Sequence, residues 1–142
     1  MLQCTPFLLF DGNCAEAMAF YHTCLGGELR LTKLGDTPMK GQFPPEKYER
    51  IINAYLKSDA VELSATDWMS DVITPKPGNM MSIFVVGGGY DELKAPFDKL
   101  AVGADKEATF QDIHEMPFGF YGQLTDKFGV PWIFKGDKPA KA

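Results

Sequence analysis

Two segments of this chain superpose at one fixed offset, and that internal repeat constrains the fold more than any other feature. "TPFLLFDGNCAEAMAFYHTCLGG", residues 5–27, is a period-two apolar run, a turn through Asp11-Gly12-Asn13, and a helical pattern stopped by Gly26-Gly27. "SIFVVGGGYDELKAPFDKLAVG", residues 82–103, repeats the order of strand, tight turn, helix and terminating glycine. Thr5 aligns with Ser82, Phe7 with Phe84, Gly12 with Gly89, Phe20 with Phe97 and Gly26 with Gly103, always at an offset of 77. Two unrelated strand–helix units would not share one offset through strand, turn, helix and stop.

Local chemistry sharpens each copy. In the first, Asn13 is a favourable N-cap and Glu16, three residues on, completes a capping box. Cys14, Ala17, Met18, Tyr21 and Leu25 then make one apolar stripe at helical spacing, suited to packing on a sheet. In the second, Pro96 falls inside the helical pattern and blurs where that helix begins. Strands follow each helix. The first copy reads on through Glu28–Leu34, a Gly/Pro-rich loop (Gly35–Pro45), Ile51–Lys57 and Val61–Thr66. The second reads through a weak strand near Lys106–Phe110, a loop through Pro117, and strands near Phe118–Thr125 and Pro131–Lys135, the last two joined by the turn "DKFG". Each half is therefore βαβββ.

One such module cannot bury both faces of its sheet. The expectation is an α+β fold of two βαβββ modules paired into one curved mixed sheet, with a concave cup inside and helices outside. The 142 residues form a single domain, with module one at about 1–73, module two at about 80–136, a Pro/Gly joint at Thr74–Asn79 and a polar tail, 137–142.

Composition narrows the class of partner. There are 14 Lys and Arg against 19 Asp and Glu, a net charge of −5, which provides no basic footprint for nucleic acid or an anionic membrane. Apolar runs such as "TPFLLF" and "SIFVV" fall far short of the roughly 18 residues a membrane-spanning helix needs. No secretory signal pattern opens the chain, and Cys4, Cys14 and Cys24 form no CxxC pair. They read as reduced thiols in a cytoplasmic protein, small apolar filler more than catalytic groups.

The stretches "FDGNCAEAMAFYHTCLGGEL", "NAYLKSDAVELSATD" and "GQLTDKFGVPWIF" resemble, in order and spacing, the vicinal-oxygen-chelate superfamily of glyoxalase I, bleomycin-resistance proteins and extradiol dioxygenases. Within it the resemblance is to the PhnB-like branch and spans nearly the whole chain. That branch often carries the label demethylubiquinone methyltransferase. No glycine-rich loop here offers a nucleotide cofactor a phosphate seat: "VVGGGYDEL" is like one only in composition, since its repeat partner "LLFDGNCAE" fills the same turn without three glycines.

The resemblance implies a cup in which four side chains of metal-dependent members hold a divalent ion, two from the first strands and two from later ones. The repeat places these positions at Thr5, Ser82, Glu62 and Phe134. Hydroxyls are poor ligands for Zn²⁺, Fe²⁺ or Mn²⁺ and Phe cannot ligate, so no metal and no cofactor is expected. Relatives commonly carry His where this chain has Asn53, which can hydrogen-bond but cannot exchange protons near neutral pH. The remaining catalytic candidates are weak: Glu62, if a dry cup raises its pKa, and His114, read as lying in a loop beside Glu115. His22 reads as an ordinary helix-surface residue. Aromatics are the richer resource, and alternate positions on the strands should line either the cup or the helix-packed face. Thr5, Phe7, Asn53, Tyr55, Glu62, Ser82, Phe118 and Trp132 are the candidate ligand contacts. An acidic lining for a cationic guest could come only from Glu62, Asp67 and Asp126.

The reading that follows is a cup binding a small hydrophobic or aromatic molecule without metal, in a homodimer such as relatives commonly form. A metal-dependent lyase, isomerase or dioxygenase is the alternative, and a non-catalytic structural or regulatory dimer the third.

Overall fold

Alternation of apolar and polar residues along the strands decides which face of each sheet a helix covers. The computed structural model describes residues 1–107 and 109–137. The elements are β1 (Phe7–Phe10), α1 (Cys14–Leu25), β2 (Glu28–Lys33), β3 (Ile51–Lys57), β4 (Glu62–Asp67), β5 (Ile83–Gly87), α2 (Tyr90–Leu100), β6 (Gln111–Met116), β7 (Gly119–Thr125) and β8 (Pro131–Asp137). The α+β class and the two βαβββ modules are those the repeat predicts. Each module closes its own four-stranded mixed sheet, in the orders β1-β4-β3-β2 and β5-β8-β7-β6. β1 runs parallel to β4 and β5 parallel to β8, while the other pairings are antiparallel. The chain divides into two compact units, Met1–Lys76 and Pro77–Ala142. No helix among the described residues is long and apolar enough to cross a membrane.

In the first unit, α1 buries Cys14, Ala17, Met18, Tyr21 and Cys24. The stripe thus ends on Cys24, one residue short of the expected Leu25. Opposite it the sheet contributes Ala54, Leu56, Leu63 and Ala65, all buried. Burying these apolar groups is the main term that stabilises the unit. The expected capping box is absent: Asn13 makes no side-chain capping bond. The buried carboxylate of Asp67, at the end of β4, takes that role. Its Oδ1 accepts from the N–H groups of Gly12 and Cys14, both at 2.9 Å, and its Oδ2 from Ile51 N–H at 2.9 Å. A negative charge at the helix N-terminus also suits the helix dipole. The Gly/Pro-rich loop folds into 3₁₀ turns at Leu34–Asp36, Pro38–Gln42 and Pro45–Lys47. It is pinned by the largely buried Lys47, whose Nζ meets Asp71 Oδ1 at 2.7 Å.

In the second unit, α2 buries Leu93, Phe97 and Leu100, and Phe97 meets Phe134 edge-on with ring centroids 5.2 Å apart. The second strand of this module departs from expectation. It lies at Gln111–Met116, not near Lys106–Phe110, so "QDIHEM" is strand and not loop. β6 is the edge of its sheet, where charged residues are tolerated, and Ile113 is its one buried side chain. The turn "DKFG" is a hairpin built on Asp126. Its Oδ1 accepts from the N–H groups of Phe128 at 2.8 Å and Val130 at 3.2 Å, its Oδ2 accepts from Trp132 Nε1–H at 2.8 Å, and Gly129 supplies φ 88°. β8 runs on to Asp137, the first residue of the expected tail; residues 138–142 lie outside the described residues.

Candidate functional site

Each sheet has a helix-packed face and an open face, and the registers assign every candidate to one of them. On the open face of the first sheet, Phe7 pairs with Ser64, Ser64 with Tyr55 and Tyr55 with Arg30, with Leu9 beside Thr66 and Asn53 beside Thr32. Phe7 and Leu9 are 57% and 42% exposed, a large apolar surface left in water. Thr5 lies just before β1 and is exposed. Glu62 belongs to the same face, where the Tyr55 hydroxyl donates to Glu62 Oε1 at 2.5 Å and Lys57 Nζ stands 3.8 Å from Glu62 Oε2. That hydrogen bond raises the Tyr55 phenol above its ordinary value, because ionisation would remove the donor and set a second negative charge beside the carboxylate. Tyr55 is thus a protonated donor at neutral pH. Glu62 is partly exposed and held between a hydroxyl and an ammonium.

On the open face of the second sheet, Val86, Lys135, Tyr121 and His114 form one cross-strand row, and Phe84, Ile133 and Gln123 the next. Phe84 and Val86 are 58% and 66% exposed. They repeat the chemistry of Phe7 and Leu9 at the offset of 77. Ser82 lies just before β5, and Phe118, in the β6–β7 turn, is also exposed. His114 is an exposed strand residue and not part of a loop, while Glu115 alternates to the opposite face.

Two expectations need correction. Trp132 and Phe134 do not face the open side; both are buried on the helix-packed face, and Ile133 and Lys135 take the open positions. Phe7 pairs with Ser64 and Phe84 with Ile133, so beyond the helices the repeat offset falls from 77 to 69. Phe134 therefore corresponds to Ala65, and the counterparts of Glu62 and Ser64 are Pro131 and Ile133. The Trp indole instead anchors the hairpin through Asp126. Asp67 and Asp126, the other two candidates for an acidic lining, are buried acceptors of backbone and indole N–H groups.

The side chains at these positions are poor ligands for a divalent metal. In the first unit Thr5 and Glu62 offer one hydroxyl and one carboxylate; in the second Ser82 offers one hydroxyl, and Pro131 or Ile133 offers nothing. Among the described residues no three His, Cys, Asp or Glu side chains are grouped to hold an ion. At each strand–helix turn, where a phosphate would sit on helix N–H groups, a carboxylate of the chain itself holds at least one N–H. Asp67 occupies the first. In the second, Gly88 N–H donates to Glu92 Oε2 at 3.0 Å and Gly88 O accepts from Asp137 N–H at 2.7 Å. A Cβ on Gly87 would meet Leu93 Cδ2 at 2.9 Å, so that glycine serves helix–sheet packing.

One concavity went unseen in the sequence. A cleft of about 390 Å³ in the first unit is lined by Phe43, Ile52, Thr66, Asp67, Trp68, Met69 and Ser70. Thr66 and Asp67 spend their hydrogen bonds on the backbone, and the buried Trp68 Nε1–H has no partner among the described residues. Three of its lining residues follow directly on β4, in a stretch with no strand or helix periodicity to single it out.

The chain matches the family described as 3-demethylubiquinone-9 3-methyltransferase over residues 2–134. Protein YjdN of Escherichia coli (strain K12) is 32% identical over 137 residues, covering 91% of each chain. Among solved structures, protein PA1353 from Pseudomonas aeruginosa is 29% identical with a TM-score of 0.80, covering 98% of this chain and 100% of that one. A putative 3-demethylubiquinone-9 3-methyltransferase, PhnB protein, from Bacillus cereus is 26% identical with a TM-score of 0.67, covering 95% and 99%. The fold is also that of a glyoxylase/bleomycin resistance protein/dioxygenase domain from Frankia, at 12% identity and a TM-score of 0.62 over 99% of this chain and 96% of that one.

Proposed function

The chain belongs to the 3-demethylubiquinone-9 3-methyltransferase family, on the glyoxalase/bleomycin resistance/dioxygenase fold, and from that premise we propose a small-molecule-binding module that works without metal. Its guest is hydrophobic or aromatic and rests on the open sheet faces. The observation that carries this reading is the matched exposure of Phe7 and Leu9 on β1 and of Phe84 and Val86 on β5. Four large apolar side chains stand half in water at repeat-related positions, and covering the exposed part of each is worth about 1 kcal/mol, roughly half the value for full burial. On the first sheet the polar Thr5, Asn53, Tyr55 and Glu62 would orient a guest lying there; on the second, the Ser82 hydroxyl and the Phe118 ring would do so.

Methyl transfer, which the family's description names, receives less support from these residues. A nucleotide-bearing methyl donor needs a seat for its charged and polar groups, and the chain's own carboxylates, Asp67 and Glu92, already hold N–H groups of both strand–helix turns. The hydroxyl-rich donor set likewise favours binding over Lewis-acid catalysis.

Ligand-observed NMR with a set of flat aromatic fragments, run in EDTA, tests the proposal. Aromatic fragments should bind, and Phe7→Ser with Phe84→Ser should weaken them at least tenfold while the circular dichroism spectrum is kept. Binding seen only after Zn²⁺, Ni²⁺ or Mn²⁺ is added, or no binding at all, overturns it.

A further inference from the structure

The open face of the second sheet sorts its side chains by chemistry from one edge to the other. Val86 and Phe84, on β5, make an apolar margin. Next to them on β8 stand Lys135 and Ile133, then Tyr121 and Gln123 on β7, then His114 on β6. The row from Val86 to His114 crosses three strand spacings, roughly 14 Å, which is the span of a small fused-ring molecule with a polar substituent.

Each polar member is oriented. The Tyr121 hydroxyl donates to Gln123 Oε1 at 2.8 Å, and Gln123 Nε2 donates to the Thr109 carbonyl at 2.9 Å. His114 Nδ1 lies 2.7 Å from the Asp112 carbonyl, which can only accept, so Nδ1 carries the proton and Nε2 is directed elsewhere. Three aromatic rings are linked: His114 and Tyr121 meet edge-on at 6.1 Å and Phe118 and Tyr121 at 6.4 Å. Over this group stands Lys135, its Nζ 5.8 Å from the centre of the Phe118 ring. Lys33, Lys47, Lys57 and Lys94 pair with carboxylates, while Lys135, like Lys40, Lys76, Lys99 and Lys106, forms no ion pair among the described residues; of these, Lys135 is the one on this open face. On a chain of net charge −5, an ammonium in no ion pair among the described residues, beside exposed rings and with Asp137 two residues farther along the same face, is a local positive spot on an aromatic wall.

We propose that this face selects a flat aromatic carboxylate, with its carboxylate on Lys135, its rings against Phe118 and Tyr121, and its apolar end toward Phe84 and Val86. The inference rests on reading the open faces as binding surfaces and adds to it the charge of the guest. An anion is attracted by the unpaired ammonium and a cation is repelled by it, so the sign of the preference follows from Lys135 alone.

The test uses the full chain and three probes of one shape: 2-naphthoate, neutral 2-naphthamide and cationic 2-naphthylmethylammonium. Affinities come from calorimetry at low salt, and the site from ¹H–¹⁵N shift changes. Naphthoate should bind at least tenfold tighter than the amide, the cation should bind weakest, and shifts should centre on Phe118, Tyr121 and Lys135. Lys135→Glu, a change at an exposed position checked by an unchanged circular dichroism spectrum, should erase the preference for naphthoate over the amide. If acid and amide bind equally, or Lys135→Glu weakens both alike, the anion preference falls while binding to the open faces survives. Shifts confined to residues 1–76 overturn the placement, and failure of all three probes to bind overturns the proposal together with the reading beneath it.

Discussion

Replacing Asp67 with Asn, and in parallel Asn13 with Ala, tests how the first unit is held together. Asp67 is 1% exposed and accepts three backbone N–H groups at 2.9 Å, from Gly12, Cys14 and Ile51. Asn keeps the shape and one acceptor oxygen. Its amide must then face one of the three N–H groups, and if it faces Ile51 that buried donor is left without a partner, at about 1–3 kcal/mol. The two surviving bonds lose their charge assistance, which is roughly half their strength. The sum is about 2–4 kcal/mol, a large share of the 5–15 kcal/mol typical of a domain. Asn13→Ala removes a residue that sequence pattern makes the cap but that bonds nothing through its side chain, so its cost should stay below about 0.5 kcal/mol. Urea unfolding with linear extrapolation measures both. Native-state hydrogen exchange should also speed up at Gly12, Cys14 and Ile51 in the Asp67→Asn variant. Less than about 1 kcal/mol for Asp67→Asn, or about 1 kcal/mol for Asn13→Ala, would refute the assignment of the cap to Asp67.

Other expectations follow from the same geometry. Trp132→Ala should cost about 3–5 kcal/mol in chemical denaturation, since it empties a buried site and frees Asp126 from the indole; a cost below about 1 kcal/mol would put Trp132 on the wrong face. Burial, and then the Asp67 charge, push the Cys14 thiol up to about 12, so below that pH it stays neutral and unreactive; iodoacetamide on the native protein should modify the exposed Cys4 and spare Cys14. With hydroxyls where strong ligands would be needed, protein purified from cells should carry no stoichiometric metal by elemental analysis, and EDTA should leave its Tm unchanged. We propose further that two copies associate, covering apolar residues such as Val72, Ile73, Met80 and Met81; light scattering at micromolar concentration should return twice the chain mass, and a monomer mass would dismiss the dimer.

What was legible in the sequence had local, periodic causes. Helix α1 is bounded as read, Cys14–Leu25, because a turn of Asp, Gly and Asn opens it and a glycine pair closes it. β3 is likewise bounded as read, at Ile51–Lys57, from its apolar alternation. β6 escaped because an edge strand need bury only one side chain, and a strand of Gln, Asp, His and Glu around Ile113 looks like loop in a single sequence. Asp67 escaped for a different reason. Its partners lie 55, 53 and 16 residues away, so nothing near it in the sequence distinguishes a structural acceptor from an acid lining a site.

The misplacement of Phe134 shows how far a repeat can be carried. The offset of 77 holds through strand, turn and helix, since these elements have fixed lengths once they pack on one another. From the end of the helix to the third strand the modules diverge: the first passes from Leu25 to Ile51, the second only from Leu100 to Gly119. A shorter connection moves the third strand to an offset of 68 and the last to 69, whereas Glu62 and Phe134 stand 72 apart, so matching those two is out of register by three residues. In a strand a shift of one residue exchanges the two faces, which is the difference between Phe134 at a site and Phe134 against Phe97. The chemistry of "PWIFK" contains the resolution. Trp132 and Phe134 share one face and Pro131, Ile133 and Lys135 the other, and a lysine can stand in water where a Trp–Phe pair gains most from burial under a helix. Hydrophobic alternation along the last strand therefore outranks the repeat as a guide to its register, and it brings Lys135, which the repeat ignored, onto the open face.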